Sequence, residues 1–86
     1  MMEITKNEFE VLYGIEFWNK GDPQGIANVT NISEKDAETL LKSLEEKGLI
    51  KIEIREGKIY GAQLTSKGSE IYEDDKYLNW KLEWGY

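Results

Sequence analysis

The chain has 86 residues, 40% hydrophobic and 33% charged, which fits one folded domain with a modest core rather than a disordered segment. It lacks cysteine and histidine, so disulfides, thiolate–metal sites and the commonest general base are excluded, and an enzyme is the class least expected. A net charge of −6 argues against a strong, independent binder of nucleic acid, because phosphate neutralisation supplies much of such affinity, but it leaves room for a local basic patch.

The opening stretch lacks the basic and apolar regions of a secretory signal. No apolar run approaches the roughly 20 residues needed to cross a bilayer, so no membrane partner is expected and the expected compartment is the cytoplasm. The first helix is expected from about Thr5 to Lys20. Thr5 followed by Glu8 fits a capping box, in which each side chain takes up a backbone N–H of the first turn. Phe9, Leu12, Ile15 and Trp18 recur at helical spacing, with Val11 and Phe17 widening an apolar face read as core. Gly21-Asp22-Pro23 ends this helix, and a short one from about Pro23 to Val29 places Ile26 and Val29 inward.

After a turn at Thr30-Asn31, Ile32 packs between helices and Ser33 caps the next one. Ala37, Leu40, Leu41 and Leu44 form its apolar stripe, and Gly48 stops it after Lys47. Ile50, Ile52 and Ile54 alternate with Lys51, Glu53 and Arg55, the pattern of a half-buried strand. A turn at Arg55-Glu56-Gly57-Lys58 and a second strand from Ile59 to Leu64 complete a β-hairpin. Thr65 caps a last helix from about Ser66 to Asp74 or beyond, with Ile71 and Tyr72 as its apolar residues. In the tail, Leu78 to Trp84 alternates apolar and polar residues, which suits a strand. Continuation of the preceding helix through Tyr77 is the alternative, and periodicity does not decide between them. The fold class is therefore α+β, in one unit over residues 1–86. No cofactor or metal is expected, since the adjacent carboxylates of Glu73-Asp74-Asp75 cannot converge from one helix.

Ile32-Ser33, Leu40-Leu41, Leu44-Glu45, Lys47-Gly48-Leu49-Ile50 and Leu64-Thr65-Ser66-Lys67-Gly68 resemble the MarR-like winged helix-turn-helix regulators. That family reads LS, a helix ending in LE-x-KGL-[IV], a wing hairpin, and LT-x-KG opening the next helix. The matched pieces lie within residues 32–68, a span of 37 of the 86 residues. The resemblance implies three N-terminal helices with a helix-turn-helix over residues 23–47, a wing over 49–64, and a C-terminal helix and aromatic tail over 65–86. It also implies that the helix from Ser33 to Lys47 enters the major groove of duplex DNA while the wing approaches the minor groove or the backbone.

The residues carried over are Ser33, Lys35, Thr39 and Lys42 on the helix and Arg55 and Lys58 on the wing. The transfer is uneven. Glu38 stands where the family often has Thr, and Thr39 where it often has Arg. From Ser33 to Lys47 the acids Glu34, Asp36, Glu38, Glu45 and Glu46 face Lys35, Lys42 and Lys47, a net of −2. The wing is better suited, with Arg55, the chain's only arginine, and Lys58 flanking the tip. A solvated hairpin end kept charged against edge pairing explains the same two residues.

Two functions are expected from these residues. One is sequence-specific duplex DNA binding by a small transcriptional regulator. The other is an acidic winged-helix module that binds protein and little or no DNA. Tyr77, Trp80, Trp84 and Tyr86 place much aromatic surface in ten residues, and such rings are enriched at interface centres. Family members dimerise through extra terminal helices, so the tail is the candidate homodimer surface; a monomer with the tail packed in cis is its rival.

Overall fold

The starts of the first four helices are written into the chain by a short polar side chain that satisfies a backbone N–H of the first turn. The computed structural model describes residues 3–84, and in it the elements run α1 (Lys6–Glu16), α2 (Pro23–Val29), α3 (Glu34–Glu46), β1 (Ile50–Arg55), β2 (Lys58–Leu64), α4 (Ser66–Tyr72), a 3₁₀ turn (Asp75–Tyr77) and α5 (Leu78–Glu83). Thr5, Asp22, Ser33 and Thr65 cap α1 to α4, each accepting from the amide three residues on. The result is an α+β fold of five helices and one antiparallel hairpin among the described residues, an order compatible with a winged helix. No described helix is long and apolar enough to cross a membrane.

The core lies where α1, α3 and the base of the hairpin meet. Phe9, Leu12, Ile26, Leu41, Leu44, Leu49 and Ile50 are its largest fully buried members. Ile32 is buried in the core. Gly48, at φ +78°, supplies the left-handed residue that releases the chain from α3 into β1.

Three expectations need correction. First, α1 stops at Glu16, four residues early. Asn19 adopts a left-handed conformation (φ +59°), which asparagine tolerates better than most residues, and the amide of Lys20 turns back to donate to the Gly14 carbonyl at 3.1 Å. Phe17 and Trp18 therefore sit about half exposed instead of in the core. Second, Ile54 is not half-buried like Ile52 but 57% exposed. Glu53 pairs with Gly61 and Ile54 with Ile59, so Tyr60 is an extra residue on β2 and the hairpin bends there. Beyond that bulge Ile59 stays partly buried against the core, while Ile54 and Tyr60 are exposed.

Third, the tail is a helix set off from α4 by a break at Glu73-Asp74. The alternation from Leu78 to Trp84 concealed a second pattern. Tyr77, Trp80, Lys81 and Trp84 lie at i, i+3, i+4 and i+7, one face of a helix. Tyr77 (4% exposed) and the half-buried Trp80 and Trp84 stack around Phe9 at centroid distances of 4.9, 5.7 and 5.9 Å. The Lys81 ammonium lies 4.1 Å over the Tyr72 ring on the same face.

One buried pair joins distant parts of this core. Glu8 accepts from its own cap, Thr5 N–H at 2.9 Å, and from Ser43 Oγ at 3.0 Å. Lys47 Nζ donates to both carboxylate oxygens at 2.8 Å, across 39 residues of chain. Burial pushes the Glu8 carboxyl up, but the hydrogen bonds from Lys47, Thr5 and Ser43, with the charge of Lys47, outweigh it and hold the carboxyl below its ordinary value of 4.5. A folded-state value below the unfolded one means stability present above about pH 4.5 and lost as pH falls through the lowered value. Glu8→Gln is expected to cost about 2–3 kcal/mol at neutral pH, because Lys47 loses its partner yet keeps a path to water. Below pH 4 the gap between variant and wild type should narrow, which urea unfolding at a series of pH values will show. A gap independent of pH would mean that the ion pair does not carry the effect.

Candidate nucleic-acid interface

The residues expected to meet DNA fall into two groups. Lys35, Thr39 and Lys42 share the exposed side of α3, opposite the buried Ala37, Leu41 and Leu44, and Ser33 lies exposed at the N-cap. Ser33 is engaged as the cap, its Oγ accepting from Asp36 N–H at 3.1 Å. Thr39 Oγ1 donates to the Lys35 carbonyl at 3.3 Å, a back-bond within the helix. Lys42 lies 3.2 Å from Glu38, one turn earlier, with both side chains more than half exposed. Such a pair contributes between about 0 and 1 kcal/mol, so the lysine is readily drawn away by a stronger anion. Lys35 makes no ion pair among the described residues.

The second group is the hairpin tip. Arg55 and Lys58 are direct cross-strand partners around a two-residue turn, in which Glu56 (φ +51°) and Gly57 (φ +76°) are both left-handed. That geometry matches the right-handed twist of a hairpin. Arg55 stands with its guanidinium carbon 3.8 Å above the Tyr60 ring, and its NH2 lies 2.7 Å from Glu53 Oε2. The bulge explains the contact, since the extra residue in β2 turns Tyr60 out as a platform for the arginine. Lys58 is exposed and makes no ion pair among the described residues. Among the described residues no hydrogen bond or ion pair links the tip to the α3 group.

Tyr60 and Glu53 were not singled out by sequence. Gly61 inside a strand pattern is the one local sign of a bulge, and so of the residue it re-aims. The aromatic tail requires a correction. Tyr77, Trp80 and Trp84, expected on an interaction surface, turn inward against Phe9, because α5 is a helix and they share its inner face. The outer face carries Leu78 and Leu82, 43% and 58% exposed. Tyr86 lies outside the described residues. No group of three or more acidic side chains among the described residues is arranged to hold a metal ion.

No protein-family model, curated protein or solved structure matches the chain.

Proposed function

We propose that the chain is a winged helix-turn-helix protein of MarR-like type that binds duplex DNA, with the hairpin as its leading contact. The observation that carries this reading is the tip, where Arg55 and Lys58 stand side by side at the exposed end of the hairpin and Arg55 is held extended over Tyr60. Between Ile50 and Leu64, Lys51, Arg55 and Lys58 outnumber Glu53 and Glu56, a net of +1 in a chain of −6. Positive charge is thus gathered on the element that a winged helix sends to the backbone or minor groove. On α3, Lys35, Thr39 and Lys42 would lie along the major groove, with Ser33 at its entry.

The acidic remainder repels phosphate away from these residues, which favours weak binding at few contacts. Anisotropy titrations with labelled duplex at low salt should show micromolar binding that weakens as salt rises. Arg55→Ala and Lys58→Ala should each lower the slope of log affinity against log salt by about 1, across all sequences. No binding at micromolar protein, or binding insensitive to salt, overturns the reading.

A second reading, an acidic module that binds protein, is favoured by a different observation. Glu38 already faces Lys42 on the helix surface, and α5 leaves Leu78 and Leu82 uncovered. A homodimer through the tail would engage these leucines, because the rings are taken by Phe9. Sedimentation of the wild type beside Leu82→Asp tests it: a dimer that dissociates on the substitution supports this use of the tail, and an unchanged monomer removes it.

A further inference from the structure

Glu8 and Glu10 are both almost fully buried, at 3% and 8% exposure, but they are treated very differently. Glu8 is surrounded by Lys47, Ser43 and Thr5. Glu10 accepts one long bond, from the Asn31 amide at 3.3 Å, and no lysine or arginine pairs with it among the described residues. A carboxylate taken out of water without a cation is costly. Glu10 lines a hollow between α1, the α2–α3 turn and the end of α5, whose walls include Tyr13, Trp18 and Trp84 and contain no basic residue. The Tyr13 ring is buried, stacked on Phe17 at 5.1 Å and tilted against Trp84 at 4.9 Å, so it backs the partly exposed Trp84. Trp18 is 47% exposed, so the core does not account for its place at the rim.

We propose that this hollow binds an alkylammonium cation, with the Glu10 carboxylate as counter-charge and Trp18 and Trp84 as the aromatic walls. Ring faces attract cations, and most strongly when the cation is partly shielded from water. An anion would meet the Glu10 carboxylate, and a neutral ligand would leave that carboxylate unpaired. The site is independent of the DNA-binding reading, since it shares no residue with the hairpin tip or the exposed side of α3.

The test is a titration of the isotope-labelled protein followed by the tryptophan indole N–H signals. Trp80, outside the hollow, serves as the internal control. Choline and butylammonium should give saturable shifts of Trp18 and Trp84 at millimolar concentration, while 3,3-dimethylbutanol, the neutral counterpart of choline, gives none. Glu10→Gln keeps an acceptor for Asn31 and should weaken binding by about tenfold or more. Trp18→Ala removes an exposed side chain and should weaken it without loss of stability. A trimethyllysine peptide that binds more tightly than choline assigns the cation to a protein chain, and one that binds more weakly assigns it to a free small molecule; both support the ammonium site. Absent shifts, equal response to the neutral alcohol, or an undiminished affinity in Glu10→Gln would overturn it, leaving Glu10 as a holder of the Asn31 amide alone.

Discussion

Truncating Phe9 to alanine is expected to cost about 3–5 kcal/mol, as deletion of a fully buried aromatic ring commonly does. For a domain of this size, whose whole stability is on the order of 5–15 kcal/mol, that is enough to leave it close to unfolding. The ring is completely buried and is the hub of four others, with Tyr72 at 5.6 Å joining Tyr77, Trp80 and Trp84. Removal opens a cavity lined by flat, stiff rings that cannot collapse into it. The loss should fall first on α5. That helix has six residues and no side-chain cap, and besides Phe9 it is held by the Lys6–Glu83 ion pair at 2.8 Å, the Lys81 ammonium over Tyr72, and the Tyr13 ring and hydroxyl against Trp84. Amide exchange should therefore show lost protection in α5 before α3 is affected, and the denaturation midpoint should drop steeply. Phe9→Leu, which retains most of the apolar volume, should cost about half as much. A drop below about 1 kcal/mol in Phe9→Ala would show that the tail is not held by this cluster.

What the sequence made legible was local. Thr5, Ser33 and Thr65 were readable as caps because the acceptor and the amide it serves lie three residues apart. The stripe of α3 and the start of β1 were readable because one face of each is buried and the other is not, which imprints a period. Failures came where a distant partner or one backbone angle decides. Asn19 ends α1 through a left-handed turn that a run of apolar residues through Trp18 hides. The grip of Lys47 on Glu8 spans 39 residues, and nothing near either residue announces it. The tail held two superposed patterns, and only Phe9, far away in sequence, selects the helical one. The same division holds for the candidate interface. That Lys35, Thr39 and Lys42 share a face follows from helical spacing, and the Lys42–Glu38 pair from a separation of four. That Arg55 rests on Tyr60 depends on a bulge, which shifts the register by one residue beyond what alternation can resolve.

Gly68→Ala is the second large effect, and it explains what the LT-x-KG segment does. A Cβ placed on Gly68 would come within 2.0 Å of the Leu49 carbonyl oxygen, which is backbone and has no rotamer through which to yield. The expected cost is about 3 kcal/mol or more, at the upper end for overpacking, read as a fall in the urea midpoint. Gly48→Ala is the control. Its site is left-handed but open, with nothing within 4 Å of the added carbon. It should cost only about 1–2 kcal/mol of conformational strain. The close approach at Gly68 is forced by bonds that join two distant segments. Thr65 N–H donates to the Leu49 carbonyl at 3.0 Å, Thr65 Oγ1 donates to the Gly48 carbonyl at 2.7 Å, and the same hydroxyl accepts from Gly68 N–H at 3.1 Å. Lys47-Gly48-Leu49-Ile50 and Leu64-Thr65-Ser66-Lys67-Gly68 are thus two halves of one weld, which closes the hairpin at its base and seats α4 against the Gly48-Leu49 link between α3 and β1. All of these contacts are made within the chain, and the approach of Gly68 to Leu49 is buried. The residues that make the resemblance most recognisable are therefore the residues that build the scaffold, and they would be required whether the exposed surface met DNA or protein. Gly68→Ala should accordingly weaken every binding activity in proportion to the unfolded fraction. Arg55→Ala should leave the midpoint unchanged and alter only the salt-dependent DNA contact proposed for the hairpin tip.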